Sequence, residues 1–240
     1  MAAVMLIASS IALFLSIVCR IAAYGSEAAE RVKVALCLLT KDQNEDLNEW
    51  LDYHKSIGVS NVILIDDNST KPSLEAISDF VKTGFIMHYS YIVPDSHAKR
   101  GPQMLAYELC LNAYRSEFSH MGFIDTDEFI VLKNETESII DLLYKYKDYG
   151  GLALNWMMIG SNGHITRPKG GVLSNYNDCV TNYHIKSIVN TKHAIKPVNP
   201  HYFEYEHSLH SHYYAVDTSF NKVEVPIISS NARLSSYHHV

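Results

Sequence analysis

The chain of 240 residues has no excess of basic residues: 20 Lys and Arg stand against 26 Asp and Glu, for a formal net charge of −6. A nucleic-acid binder needs a positive surface for phosphates, so this balance argues against that class. Its four cysteines form no CxxC-like pair, which argues against the common structural zinc motifs. The sequence also has no P-loop, GxGxxG motif, internal repeat or low-complexity tract. What remains is an ordinary globular composition, 47% hydrophobic and 19% charged.

A long apolar segment lies at the N-terminus. Residues 2–18 are apolar apart from three serines, and Arg20 follows. At about 1.5 Å per residue this segment nearly crosses a hydrocarbon core, but no basic residue precedes it as in a signal peptide. We predict a retained, single-pass signal-anchor over residues 1–24, with a cleaved signal peptide or a buried helix as alternatives. A stem over 25–33 and a globular domain over 34–240 outside the cytosol would follow.

Apolar runs of strand length alternate with segments of helical spacing. The predicted strands are Val34–Leu39, Val62–Ile65, Phe85–Tyr91 and Met121–Ile124, and the predicted helices are Glu45–Ile57, Leu74–Val81 and Gln103–Tyr114. Gly58 is expected to end the first helix, and Pro102 to begin the third. A further helix over Ile139–Tyr146 and strands at Leu152–Met157 and His184–Val189 are also expected. This order predicts an α/β fold whose mainly parallel sheet has helices on both faces.

Polar clusters follow three of these predicted strands. They are Thr40-Lys41, Asp66-Asp67-Asn68 and Asp125-Thr126-Asp127. In open α/β sheets, ligands bind beyond the carboxyl ends of the strands. We therefore expect the three clusters to meet at one edge of the sheet and to form a binding site there.

The third cluster, Asp125-Thr126-Asp127, predicts a divalent cation. Two carboxylates spaced i, i+2 on a tight turn can reach one ion, and oxygen ligands of this kind suit Mn²⁺ or Mg²⁺. Such an ion can bridge the two phosphates of a nucleotide diphosphate. A solvated loop or a helix N-cap is the alternative. A phosphatase-type aspartate motif is excluded, because Phe129 stands where that motif needs threonine.

Other side chains are weaker candidates for ligand binding. Asp66 can hydrogen-bond a ribose hydroxyl or a base edge, although an Asx turn explains it equally well. Lys99 and Arg100, at the entrance of a predicted helix, can meet a phosphate or form a solvated basic pair. The histidines from His193 to His239 have no tetrahedral zinc spacing and no accompanying cysteine pair, so a zinc site is not favoured.

The cysteines and the glycosylation sequons carry two further expectations. We expect Cys37, in a strand, and Cys110, on a helix, to be buried small hydrophobes. A disulfide through Cys179 is permitted outside the cytosol but is not specified by spacing. Of the two sequons, the one at Asn134 is the expected acceptor, and Asn68 is expected to stay bare beside a ligand.

Short blocks spread over most of residues 34–203 carry a family resemblance. They are Lys41–Glu45 with Glu49–His54, Asp66–Ser69, Gln103–Leu111 with Phe123–Phe129, Trp156 with Gly160–His164, and Lys186–Val189 with Pro200–Phe203. In this order they resemble glycosyltransferase family 92 and its family-2-like relatives. The sequence departs from the family pattern at Ile159, where an aromatic residue is usual.

The resemblance implies a GT-A fold, a UDP-linked donor such as UDP-galactose, Mn²⁺ (or Mg²⁺), inversion, a glycan or glycoprotein acceptor and a Golgi-lumen location. By position it implies metal ligands Asp125, Asp127 and His238, with Asp127 also catalytic. The implied donor contacts are Lys41, Glu45, Asp66, Asp67, Arg100, Gln103 and Asp125. The implied sugar or acceptor contacts are Trp156, Gly160 and Ser161. For the catalytic base we choose His164, with Asp178, Glu204 and Asp217 as alternatives.

Two other functions compete with this interpretation. A glycoside hydrolase would use Asp125 and Asp127 as its acid and base, which is unusual for carboxylates so close in sequence. A non-catalytic carbohydrate-binding protein is the second rival. The family pattern closes with His-Tyr followed by Lys-Ser, whereas this sequence ends in Tyr237-His238-His239-Val240. We therefore expect a C-terminally truncated copy of the domain.

Overall fold

The computed structural model describes residues 32–90, 101–134 and 137–224. The strands are β1 (Val34–Thr40), β2 (Asn61–Asp66), β3 (Ile86–Ser90), β4 (His120–Phe123), β5 (Gly151–Ile159), β6 (Cys179–Asn190), β7 (Ala194–Asn199), β8 (Tyr202–Tyr205) and β9 (Ala215–Val216). The helices are α1 (Asn44–Ser56), α2 (Ser73–Lys82), α3 (Pro102–Tyr114), α4 (Ile139–Tyr144) and α5 (Val172–Asn175). The predicted anchor over residues 1–24 lies outside these ranges. Within them, no helix combines the length and the apolar character that a membrane crossing needs.

Within these ranges, seven strands form one sheet in the order β3-β2-β1-β4-β6-β5-β9. The pairs β1–β2, β1–β4, β2–β3 and β5–β9 are parallel, and the pairs of β6 with β4 and with β5 are antiparallel. The predicted α/β fold with a mainly parallel sheet is confirmed. The antiparallel strand β6 pairs with β4 and connects the parallel strands to β5 and β9.

Both faces of the central strands are buried, which explains their continuous apolar runs. On β1, Leu36 and Leu38 pack into one core with α1, α2 and α4, whereas Ala35 and Cys37 pack into a second core with α3. The prediction of helices on both faces is therefore confirmed. Apart from the extension of β6, the predicted elements agree with the structure to within a few residues, as is usual for element ends.

Two of the predicted helix ends rest on backbone geometry. Helix α1 ends just before Gly58, which has φ 98°, a conformation that glycine adopts without steric cost. Helix α3 begins at Pro102, which needs no hydrogen-bond partner for its nitrogen in the first turn. This entrance places Gln103 in the first turn of α3, at the edge of the sheet where β4 ends.

The expectation for two cysteines was wrong. Cys37 on β1 and Cys110 on α3 are both buried, but they form a disulfide rather than packing as free thiols. Their Cα atoms are 6.1 Å apart, within the usual range for a bridge. Cys179 is free and exposed. The disulfide joins α3 to the central strand beneath the polar edge of the sheet.

Candidate active site

The polar clusters meet at the carboxyl edge of the sheet, as predicted. Thr40 at the end of β1 is in register with Asp66 at the end of β2, and the Asp67 N–H donates to the Thr40 carbonyl at 2.9 Å. Strand β4 lies on the other side of β1 and ends at Phe123, two residues before Asp125. The site therefore spans the ends of three adjacent parallel strands.

The carboxylate of Asp125 is held by side chains from both flanks of β4. Its Oδ1 accepts a hydrogen bond from Gln103 Nε2 at 2.7 Å and a longer one from the Tyr107 hydroxyl at 3.4 Å. Its Oδ2 accepts a hydrogen bond from Lys186 Nζ on β6 at 2.9 Å. Burial raises the pKa of Tyr107, and the neighbouring Asp125 raises it further, so the phenol remains a donor. Asp125 is thus fixed in orientation by three side chains.

Lys186 also binds a second carboxylate, that of Glu128. The distance from Lys186 Nζ to Glu128 Oε2 is 3.2 Å, and the two side chains are only 6% and 10% exposed. Glu128 Oε2 accepts the Asp125 backbone N–H at 2.8 Å as well. Burial raises the pKa of Glu128 to about 7, with Lys186 opposing the shift and Asp125 adding to it. The result is a compact Asp125–Lys186–Glu128 cluster, in which one buried ammonium lies between two carboxylates.

Helix α1 holds the turn that carries this cluster. The indole Nε1 of Trp50 donates to the carbonyls of Asp125 at 3.2 Å and Glu128 at 2.7 Å. His54 Nε2 accepts the Ile130 N–H at 3.3 Å, and its Nδ1 lies 2.8 Å from the Trp50 carbonyl. A carbonyl only accepts, so His54 is the neutral Nδ1–H tautomer, and burial lowers its pKa to about 4. Hydrogen bonds with Trp50 and His54 of α1 therefore fix the backbone of the turn from Asp125 to Ile130.

Asp127 lies on the solvent side of the same turn. Its side chain is exposed, in contrast to the preceding Thr126, which is buried. Among the described residues, no group of three or more His, Cys, Asp or Glu side chains is arranged to hold a metal ion by itself. Mg²⁺-like ions are held by one or two carboxylates together with substrate phosphates. Both oxygens of Asp125 already accept hydrogen bonds from the protein, so the exposed Asp127 is the carboxylate of this turn that could bind a cation held mainly by a diphosphate.

The second polar cluster is more strongly engaged by the protein itself. Asp66 Oδ1 accepts the Ser69 N–H at 2.8 Å, and its Oδ2 accepts the Ser73 N–H and hydroxyl, both at 2.7 Å. Burial opposes ionisation of Asp66, but these hydrogen bonds outweigh it and lower the pKa. Asp67 is partly exposed, 4.0 Å from Lys41 Nζ. Asp67 and Lys41 are thus the freer side chains of this cluster, whereas Asp66 holds the start of α2.

Helix α1 also carries the predicted donor residue Glu45. This side chain is exposed and lies 3.7 Å from Arg167, which forms a closer ion pair with Asp46. One turn further on, the Glu49 carboxylate accepts the N–H groups of Val172 at 2.6 Å and Leu173 at 3.1 Å. The segment after β5 is therefore bound to α1 by charge-assisted hydrogen bonds.

The residues predicted for the acceptor side separate into two places. Trp156 on β5 lies beside His184 and His201, with ring centroids 5.7 and 6.2 Å away. Gly160, Ser161 and His164 lie on the exposed segment after β5. The His164 ring packs edge-on against Tyr176 at 5.8 Å.

Some predicted residues cannot be placed, and others were not predicted. Arg100 and His238 lie outside the described ranges. The sequence predicted no site role for Lys186 beyond its place in a family block, although it is the cation that joins Asp125 and Glu128. A sequence signal for it existed, because Lys186 and Ser187 interrupt the apolar residues between Ile185 and Val189. Trp50, Tyr107 and Glu128 gave no such signal, since each reads as an ordinary core or turn residue.

Comparison with solved structures finds limited similarity to TarS from S. aureus. One crystal structure gives a TM-score of 0.46 at 16% identity, covering 67% of this chain and 47% of that chain. The complex of TarS with UDP-GlcNAc gives a TM-score of 0.45 at 16% identity, covering 67% and 46%.

Comparison with curated proteins and families is more specific. A glycosyltransferase family 92 protein of Oryza sativa subsp. japonica is 27% identical over 149 residues, which is 60% of this chain and 24% of that protein. One from Ricinus communis is 27% identical over 169 residues, covering 64% and 28%. The chain therefore spans about a quarter of the length of these relatives. The sequence model described as glycosyltransferase family 92 matches residues 32–239, and the chain belongs to that family.

Proposed function

We propose that this chain transfers a sugar from a nucleotide-sugar donor to a glycan acceptor, with the donor bound at the carboxyl edge of the sheet. The observation that carries the proposal is the arrangement around Asp125. Its carboxylate is fixed by Gln103 and Lys186, and the exposed Asp127 lies beside it on one rigid turn. Family membership supports the reaction class. The finer assignments of a GT-A fold, a UDP-linked donor such as UDP-galactose, and inversion belong to the same proposal.

The diphosphate of the donor would lie over the turn from Asp125 to Glu128. Asp127 would hold Mn²⁺ or Mg²⁺ there, and a cation bound in this way neutralises charge on the leaving diphosphate. The chain's own contribution is orientation. Gln103, Tyr107 and Lys186 fix Asp125, and Trp50 fixes the backbone beneath it. Because these contacts exist before the donor binds, little reorganisation is needed during the reaction.

The nucleoside would lie toward the ends of β1 and β2. Asp67 and Lys41 are the exposed or partly exposed polar groups there, with Asp67 as acceptor and Lys41 as donor for ribose hydroxyls or the base edge. Their two loops are fixed to each other: the Asp42 N–H donates to Ser69 Oγ at 2.9 Å, and the Thr70 N–H donates to Asp42 Oδ1 at 2.7 Å. The two linked loops therefore form a fixed surface that is suited to binding a planar base and its sugar.

Calorimetric titration of UDP into the purified full-length chain tests the donor site. We expect binding with Mn²⁺ that is lost with EDTA and lost in Asp127→Ala. Asp79→Asn is the matched control, because Asp79 is an exposed helix carboxylate that pairs with its neighbour Lys82. Absence of UDP binding with Mn²⁺ present would refute the donor site. Metal-independent binding would refute the role of Asp127.

Secretory-pathway residence is the remaining part of the proposal. The Cys37–Cys110 disulfide supports a compartment outside the reducing cytosol, such as the Golgi lumen. Membrane attachment would use residues 1–24. Protease protection of the chain in intact microsomes tests both points: we expect full protection without detergent and retention of the protein in the membrane after carbonate extraction. Digestion without detergent would contradict the luminal location.

A further inference from the structure

His201, between β7 and β8, is fixed by three hydrogen bonds to its surroundings. Its N–H donates to Asn199 Oδ1 at 2.8 Å, and its carbonyl accepts from Ser187 Oγ at 2.7 Å. Its ring Nδ1 lies 2.9 Å from the carbonyl of Ile185 on β6. Backbone and ring are therefore both attached to strand β6, the strand that carries Lys186. The three hydrogen bonds thus restrict the imidazole to one orientation, whereas the ring of a surface histidine can usually rotate.

The contact with Ile185 also determines which ring nitrogen carries the proton. A carbonyl oxygen can only accept, so Nδ1 of His201 must be the donor. In the neutral ring, Nε2 then carries the lone pair, and within the described part of the chain no group donates a hydrogen bond to it. A histidine with Nδ1–H fixed by a carbonyl and Nε2 free is the arrangement that proton-accepting histidines commonly use.

The surroundings of His201 connect it to the proposed active site. Its ring lies 6.2 Å from Trp156 and 5.1 Å from His184, measured between ring centroids. Burial lowers the pKa of His201, the ammonium of Lys186 lowers it further, and Asp125 acts in the opposite direction. The carbonyl that binds the His201 ring belongs to Ile185, the residue directly before Lys186, so His201 lies beside the strand that carries this ammonium.

We propose that His201 is the general base that activates the acceptor hydroxyl, an assignment that rests on the transferase function proposed above. Nε2 of His201 takes the hydroxyl proton while the acceptor oxygen forms its bond to the anomeric carbon of the donor sugar. The bond from that carbon to the phosphate oxygen breaks, and its electron pair leaves with the nucleoside diphosphate. The imidazolium later returns its proton to water. Trp156 provides an apolar wall beside the reacting groups.

The structure favours His201 over the sequence-based choice, His164. His164 lies on an exposed segment, where its ring has an edge-on contact with Tyr176. Two of the alternatives are engaged elsewhere. Glu204 pairs with Lys196 at 3.2 Å, and the buried Asp217 accepts the N–H groups of Ser219 and Asn221.

The test compares His201→Asn with the wild-type full-length chain. Asparagine can keep the donor to the Ile185 carbonyl but has no basic nitrogen. UDP affinity is measured by calorimetry with Mn²⁺. UDP release is measured from UDP-galactose, UDP-glucose and UDP-N-acetylglucosamine, in water alone and with a panel of methyl glycosides. His210→Asn is the control, because His210 is an exposed loop residue.

For His201→Asn we expect UDP affinity within about threefold of wild type and UDP release slower by about 10²- to 10⁴-fold, the usual contribution of a general base. His210→Asn should behave as wild type. UDP release by His201→Asn within about tenfold of wild type would overturn the assignment, because a true base contributes more than that. Loss of activity in His164→Asn instead would also overturn it. A wild-type chain that binds UDP but releases none from any donor overturns the base, whereas one that does not bind UDP overturns the proposed function itself.

Discussion

Replacing Lys186 with methionine tests the charge balance at the centre of the site. Methionine keeps most of the aliphatic length of lysine, so the main loss is the buried ammonium between Asp125 and Glu128. Removing one partner of a buried ion pair costs about 3–5 kcal/mol, because a charge is left buried and unpaired. Asp125 has a side chain 38% exposed, so water compensates part of its loss, whereas the side chain of Glu128 is only 10% exposed. Glu128 can take up a proton in the variant, which limits the extra cost to about 1.4 kcal/mol for each pH unit above its wild-type pKa of about 7, so we expect about 2 kcal/mol at pH 8.

The expected cost depends on pH in a defined direction. The pKa of Glu128 is raised from 4.5 to about 7 in the folded chain, and removing Lys186 raises it further. At pH 5 Glu128 is protonated in the wild type and in the variant, so only the partly exposed contact with Asp125 is lost. The cost should then fall to about 1 kcal/mol or less. The destabilisation therefore grows as pH rises through about 7.

Urea unfolding followed by circular dichroism at pH 5 and pH 8 measures both values. At pH 8 the melting temperature should also fall by about 4–8 °C, since 1 kcal/mol corresponds to about 2–4 °C for a domain of this size. Adding Glu128→Gln removes the unpaired charge, so the double variant should recover to within about 1 kcal/mol of wild type at pH 8. A loss that is equal at both pH values, or that Glu128→Gln does not reduce, would refute this account of the cluster.

Two further changes test other parts of the structure. Asp66→Asn should lower the free energy of unfolding by about 1–2 kcal/mol at pH 7, because Asp66 accepts the Ser69 and Ser73 N–H groups at the start of α2. The folded-state pKa of Asp66 is lowered, so this stability is present above pH 3.8 and is lost as pH falls through the folded pKa. Urea titrations in which Asp66→Asn costs as much at pH 2 as at pH 7 would contradict this account. Replacing Cys37 and Cys110 together by alanine should lower the free energy of unfolding by about 4 kcal/mol, because the disulfide closes a loop over a sequence separation of 73. If the denaturant curves of the wild type were the same with and without reductant, the disulfide would be contradicted.

The sequence was most informative where local pattern and tertiary structure agree. Runs such as Val34 to Leu39 identify strands buried on both faces, and the polar residues after them identify the edge where ligands bind. Asp125 and Gln103, 22 residues apart, could be assigned to one site because each lies at the end of an element that reaches that edge.

Contacts between distant segments could not be predicted from the sequence. Lys186 joins Asp125 across 61 residues through an antiparallel strand that the pattern gave only in part. The disulfide depends on β1 and α3 facing each other, which no cysteine spacing specifies. For Asp66 the sequence left a ligand contact and an Asx turn equally open, and its hydrogen bond with Ser73, seven residues further on, could not be predicted. In each of these cases, the role of the residue depends on where its side chain points in the folded protein, which the sequence alone does not show.

A crystal structure of the full-length chain with UDP and Mn²⁺ tests the central claim most directly. The account predicts anomalous density for Mn²⁺ about 2.2 Å from a carboxylate oxygen of Asp127, a distance typical of such oxygen ligands. It also predicts the diphosphate over the Asp125–Glu128 turn and the nucleoside beside Asp67. UDP bound away from the carboxyl edge of the sheet, or Mn²⁺ bound without Asp127, would contradict the proposed donor site.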